Sequence, residues 1–165
     1  METTEATPTG IKDTEANIQI VGRLWQEAFN AGALDVLPEL VNEDFVNFEP
    51  VTNGPEFLTT LINSQRRAFP DMHFTPPQVV SDDDWVITKA RWTGTFQAPF
   101  DFIGLNGVEP TGRSFDVEHV HAFRFPDGKI AEHWAVRDDL TMHNQLLGEG
   151  SSSKLVGPTD SAAAR

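Results

Sequence analysis

Residues 113–139, RSFDVEHVHAFRFPDGKIAEHWAVRDD, constrain the fold more than any other stretch of the chain. They read as two strands joined at Asp127-Gly128. Asp-Gly between alternating segments is a strong hairpin signal, because both residues of the two-residue turn reach positive φ. With Pro126 paired to Lys129, Phe125 opposes Ile130, Phe123 opposes Glu132, His121 opposes Trp134, His119 opposes Val136 and Val117 opposes Asp138. Opposed residues share a sheet face. One face then holds Phe115, Val117, His119, His121, Phe123, Phe125, Ile130, Trp134, Val136 and Asp138. The other holds Ser114, Asp116, Glu118, Arg124, Lys129, His133 and Arg137. Two histidines and an aspartate thus interrupt an apolar face. A buried carboxylate near imidazoles must be neutralised, paired or used.

The preceding chain supplies the layer that such a face needs. Residues 14–30 carry Ile18, Val21, Leu24, Trp25, Ala28 and Phe29 at helical spacing. A short helix is predicted over 34–41, with Pro38 distorting its first turn. Residues 44–49, DFVNFE, alternate as a strand. A second long helix is predicted over 55–69, with Phe57, Leu58, Leu61, Ile62, Gln65 and Phe69 inward. From Met72 the period changes to two. Residues 72–81 read as an edge strand broken by Pro76-Pro77, and 85–97 as a long strand. Residues 99–112 form a Gly- and Pro-containing loop, a candidate flap over a cavity. A short helix over 140–147 closes the domain. Helices first and strands afterwards predict α+β: a curved antiparallel sheet packed by helices, shaped as a cone with an internal apolar cavity. One domain over 14–148 is expected, with disordered tails at 1–13 and 149–165.

Composition excludes several chemistries. The formal charge is −13, which disfavours nucleic acid and anionic membrane surfaces as partners. With no cysteine there is no disulfide, thiolate nucleophile or Cys-ligated zinc. With no tyrosine there is no phenol to act as acid or oxyanion donor. No apolar run approaches a membrane span. The first ten residues have neither the basic region nor the apolar core of a secretory signal, so the cytoplasm is the expected compartment. GxSxG, GxGxxG and P-loop motifs are absent.

Asp138 is the leading candidate for proton transfer, since strand parity places it inward. The alternative is that Asp138 or Asp139 caps the last helix. In the register above, His119 lies diagonal to Asp138, about 7 Å away between backbones. His121 lies opposite Trp134. A His-x-His pair on one face also resembles half of a metal site, but His133 has the wrong parity to complete it, so no metal is expected. Trp25, Phe45, Phe48, Trp92, Phe96 and Trp134 are the candidate aromatic walls for a flat hydrophobic ligand. Asn47 is a candidate donor to a ligand carbonyl. Arg91 and Arg137 are predicted to face outward.

Several segments, in order, resemble the SnoaL-like polyketide cyclase (ester cyclase) family of the nuclear-transport-factor-two-like superfamily. They are EDFVNFEP at 43–50, AFPDMHFT at 68–75, RWTGTF at 91–96, IGLNGVEPTGRSF at 103–115, FRFPDGKIAEHWAVRDD at 123–139 and QLLG at 145–148. The resemblance implies a cone-shaped fold, a homodimer or homotetramer, no cofactor, and an aspartate on the last strand as acid/base for aldol-type ring closure. By motif that aspartate is Asp138. Phe48 and Phe96 stand where many members carry histidine, and His119 and His121 are the residues that would compensate. The expected activity is a cofactor-independent cyclase acting on a hydrophobic, poly-carbonyl small molecule, with Asp138, His119 and His121 catalytic. The alternatives are a hydrolase, isomerase or hydroxylase in the same cone, or a non-catalytic ligand-binding module.

Overall fold

A computed structural model of the chain describes residues 14–48 and 51–148. The tails expected at 1–13 and 149–165 lie outside the described residues. Six strands form one sheet in the order β2-β1-β6-β5-β4-β3. They are β1 (Val41–Phe48), β2 (Val51–Asn53), β3 (His73–Asp82), β4 (Trp85–Thr95), β5 (Ser114–Arg124) and β6 (Ile130–Arg137). The helices are α1 (Thr14–Arg23), α2 (Leu37–Leu40), α3 (Glu56–Ala68) and α4 (Asp139–Leu147). The α+β prediction holds, with one change. The sheet is mixed, because β1 runs parallel to β6 while the other neighbours are antiparallel.

The first helix does not end at Arg23 but widens into π-helical turns over Leu24–Ala31. π-Turns are rare in α-helices and are frequent at functional sites. Here Leu24, Trp25, Ala28 and Phe29 are all buried. Gly32 ends the segment at φ 77, and its N–H donates to the Ala28 carbonyl. A side chain at Gly32 would meet the Arg66 guanidinium at 2.7 Å. That guanidinium donates to the carbonyls of Phe29 at 2.9 Å and Asn30 at 2.5 Å. The otherwise unpaired helix end is thereby tied to α3. The Asn30 side chain then acts as a strand partner. It donates to the Phe74 carbonyl at 2.9 Å and accepts from the Phe74 N–H at 2.8 Å, covering part of the edge of β3. Further along, the β3–β4 register breaks between Thr75 and Gln78, where Pro76-Pro77 cannot donate.

The core lies between the concave sheet face and the helices. Phe69 contacts the rings of Trp92, Phe96, Phe100 and Phe115, and Trp92 stacks on Phe74 at 5.4 Å and 1°. The predicted short helix at 34–41 is shorter than expected. A single 3-10 turn (Leu34–Val36) precedes α2, which holds Pro38 in its first turn. Val41 already belongs to β1. No helix among the described residues is long and apolar enough to cross a membrane.

Candidate active site

The hairpin register differs from the expected one by a single residue. His119 pairs with Arg137, His121 with Ala135, and Phe123 with His133. The turn explains the shift. Only Gly128 has positive φ, so Asp127-Gly128 is not the two-residue turn that needs both residues there. Phe125 also leaves the ladder, its N–H donating to the Asp84 carbonyl at 2.7 Å. An odd residue in the connection exchanges the two faces of the second strand. His133, Ala135 and Arg137 therefore face the interior, and the expected inward placement of Trp134, Val136 and Asp138 is corrected.

Concave rows now read across the sheet. Ala90, His119 and Arg137 form one, and Thr88, His121 and Ala135 the next. Val86, Phe123, His133 and Asn47 form the third, Asn47 joining through the parallel β1–β6 pairing. These residues line a concavity of about 760 Å³ when its open mouth is counted. The enclosed part of the cavity is about 70 Å³, so a ligand of several rings requires the walls to part. The π-helical segment contributes Leu24, Trp25 and Phe29, and α3 contributes Leu58, Leu61 and Gln65. Phe100, Phe102 and Ile103 reach in from the loop between β4 and β5, the segment expected to act as a flap. Ile103 holds φ 47, which is costly for a β-branched residue. The buried His143 imidazole donates from Nε2 to the Ile103 carbonyl at 2.6 Å and fastens that turn to α4.

Of the candidate walls, Trp25, Phe45, Asn47 and Trp92 line the cavity, as do His119 and His121. Three others do not. Phe48 and Trp134 stack on each other at 4.3 Å and 2°, and Trp85 packs against Trp134 at 5.1 Å on the outer sheet face. Phe96 is fully buried against Phe69, behind the cavity wall. Asp138 is exposed and caps α4, accepting from the Thr141 N–H at 3.0 Å. Loss of the aspartate's inward parity left this capping geometry as the local solution. His133, Arg137 and Gln65 are cavity residues that the predicted register or the core reading concealed.

The polar groups are arranged in a chain. His121 Nδ1 lies 2.9 Å from His133 Nε2, and His133 Nδ1 lies 2.6 Å from Asn47 Oδ1. Burial keeps all three cavity imidazoles neutral. It pushes His119 down to about 4, with the Arg137 guanidinium acting the same way and Asp138 opposing it. Burial, then the neighbouring His133, holds His121 well below the ordinary imidazole range. His133 falls to about 3, by burial first and Arg137 second. Arg137 is the cation of the cavity wall, and Asp139 pairs with it at 3.3 Å. Trp25 Nε1, Trp92 Nε1, Gln65 Oε1, His119 Nε2 and His121 Nε2 are buried with no hydrogen-bond partner among the described residues. All of these residues line the cavity.

A curved sheet closed by helices over an apolar cavity, with imidazoles and one guanidinium in its floor, defines a small-molecule cone of the α+β class. The chain belongs to the SnoaL-like polyketide cyclase family, whose sequence profile matches residues 19–146. It is 29% identical over 135 residues to the aklanonic acid methyl ester cyclase DnrD of Streptomyces peucetius, covering 78% of this chain and 89% of that one. Among solved structures, TsrD from Streptomyces laurentii shares the fold with a TM-score of 0.75 at 24% identity, over 84% of this chain and 99% of that one. IdmH from Streptomyces antibioticus aligns with a TM-score of 0.66 at 30% identity, over 78% of this chain and 96% of that one.

Proposed function

We propose that this protein is a cofactor-independent polyketide cyclase that closes a ring in a hydrophobic, poly-carbonyl small molecule. The observation that carries the reading is the set of unpaired polar atoms in an otherwise apolar cavity. Buried polar atoms are almost always satisfied in a working state. The indole N–H groups of Trp25 and Trp92 can only donate, so they call for acceptor oxygens such as ligand carbonyls. Neutral imidazoles beside them call for a group that gives up a proton, such as a methylene between two carbonyls. The relatives' substrates, methyl esters of aklanonic acid by name, agree with that chemistry.

In this reading a cavity imidazole removes the proton, and the resulting enolate carbon attacks a carbonyl carbon of the same molecule. The new alkoxide takes the proton back. One C–C bond forms, no electron is lost or gained overall, and the mass is unchanged. Arg137 stabilises the developing oxyanion. Family resemblance makes Asp138 the acid/base itself. Its capping role instead supports action through His119, whose protonated form its charge favours. The imidazole that took the proton returns it, while the His119–Asp138 pair steadies the alkoxide.

The test is turnover of aklanonic acid methyl ester by the purified chain without added cofactor. A ring-closed product of unchanged mass is expected. A product that gains oxygen or water sinks the reading in favour of a hydroxylase or hydrolase, and binding without conversion in favour of a ligand carrier. Asp138→Asn retains a good N-cap, so stability should stay within about 0.5 kcal/mol. Its turnover should fall about tenfold, less than the roughly 10²–10⁴ of a direct proton-transfer group, because Asp138 acts through His119. An unchanged rate removes Asp138 from the mechanism.

The homodimer or homotetramer implied by the resemblance would cover the outer sheet face. Val80, Ile87, Val120 and Val136 are exposed there. The paired cations Lys89, Arg91 and Arg124 stand around them, in a chain of formal charge −13. That local neutrality supports contact between like-charged copies. The enzyme would act in the cytoplasm on a diffusible substrate.

A further inference from the structure

We infer that Asn47 and His133 are positioning residues that fix the tautomer of His121 and make His121 Nε2 the base of the ring closure. The inference rests on the cyclase reading for its chemistry, but not for its geometry.

The hydrogen-bond directions follow from one end of the chain. Asn47 Oδ1 can only accept, so the proton in its 2.6 Å contact sits on His133 Nδ1. His133 is neutral in its buried setting, so its Nε2 carries a lone pair. The 2.9 Å contact to His121 therefore takes its proton from His121 Nδ1. His121 is neutral and buried, and with its one proton on Nδ1 its Nε2 is bare. That nitrogen is buried, has no partner among the described residues, and belongs to a residue lining the cavity. Both imidazoles thus hold the same tautomer, and all donors in the row point away from His121 Nε2.

The ring of His121 is also held in place. Trp25 meets it edge-on at 4.8 Å, and the hydrogen-bonded His133 ring lies side by side with it, 16° from coplanar with centroids 5.2 Å apart. A ring flip would turn the hydrogen-bonding nitrogen away from His133 and break the row. When Nε2 takes a proton from a substrate carbon, the charge is shared along Nδ1–H to His133 and so to the Asn47 oxygen. An amide accepts no proton, so the row has no exit. The proton stays available for return to the alkoxide formed in the same step.

His119 makes a useful contrast. Its Nε2 is equally buried and unpaired, but among the described residues no chain of donors and acceptors fixes its tautomer. It sits in the row of Arg137, which disfavours its protonation, and near Asp138, which favours it. It is suited to respond to charge, whereas His121 is built to present a lone pair.

Nitrogen-15 NMR of the histidine rings in the full chain at neutral pH tests the tautomers directly. Protonated Nδ1 and bare Nε2 are expected at both His121 and His133. A dominant Nε2–H form at His121 overturns the inference whatever the protein's activity. Asn47→Leu removes the acceptor and should leave His121 as a mixture of tautomers, whereas Asn47→Asp keeps an acceptor oxygen and should keep Nδ1–H at His133. With aklanonic acid methyl ester, Asn47→Leu should lower kcat by about 10- to 100-fold with KM within twofold, since a wrong tautomer removes the base and not the binding site. An unchanged kcat, or a His121 tautomer indifferent to Asn47→Leu, overturns it. If the wild-type chain fails to turn over that ester, the cyclase reading fails while the ring nitrogens still decide the hydrogen-bond row.

Discussion

Between pH 6.5 and pH 4 this fold is expected to lose most of its stability. In the unfolded chain His119, His121 and His133 bind protons below about 6.5. In the fold they resist, His119 down to about 4 and His133 down to about 3, with His121 well below the ordinary range. The unfolded state therefore binds more protons through this window, and stability falls as pH falls. It is complete above pH 6.5. By pH 4 the loss is on the order of 3 kcal/mol each for His119 and His133, before His121 is counted. A domain stable by about 5–15 kcal/mol has little left. The paired carboxylates act in the same direction but later. Thr95 holds Asp71, and Arg91 holds Asp116, below an ordinary value of 3.8, so their contributions are lost mainly below pH 4. Denaturant midpoints measured from pH 7.5 to 4.5 should drop steeply below 6.5, and unfolding near pH 5 should take up close to three protons. A midpoint that stays level over that range would mean the imidazoles are not sealed in as described.

Replacing Arg137 should have the largest effect on turnover. Arg137→Met keeps the length and apolar stem of the side chain and removes the only cation among the described residues lining the cavity. If the guanidinium stabilises the developing oxyanion, kcat should fall by about 10²–10³. Arg137→Lys should fall between the two, because a point charge replaces a planar fork. The imidazoles respond in the opposite sense. Arg137 holds His119, His121 and His133 down, so each should bind protons more readily in Arg137→Met. The same variant should then soften the acid instability. A kcat within twofold of wild type at saturating substrate would assign Arg137 to its ion pair with Asp139 alone.

Local signals in the sequence carried most of the fold. Apolar spacing placed the two long helices, alternation placed β1, and the change of period at Met72 placed β3 to β6, while β2 went unforeseen. They also brought Trp25, Phe45, Asn47, Trp92, His119 and His121 to one cavity. What failed was parity in a single strand. Residues 133–137 carry apolar groups on both faces: Ala135 inside, Trp134 and Val136 outside. Hydrophobicity alone therefore could not choose between two registers one residue apart. The choice fell to the turn, and Asp127-Gly128 looked like a tighter turn than the chain makes. The parallel pairing of β1 with β6 was equally hidden, because it joins residues more than 80 positions apart and leaves no local trace. Both misses fall on the same place. His133 meets Asn47 only when the slipped register and the parallel pair are combined, so the hydrogen-bonded row was not legible in the sequence.

The positions of the four tryptophans have an optical consequence. The chain has no tyrosine, so its near-ultraviolet emission comes from indoles alone. Trp25 and Trp92 lie in the cavity wall, while Trp85 and Trp134 pack together on the opposite face of the sheet. The protein thus carries two separate native reporters on the two sides of one sheet. The inner pair responds to what enters the cone, and the outer pair to what covers its back, without any label attached.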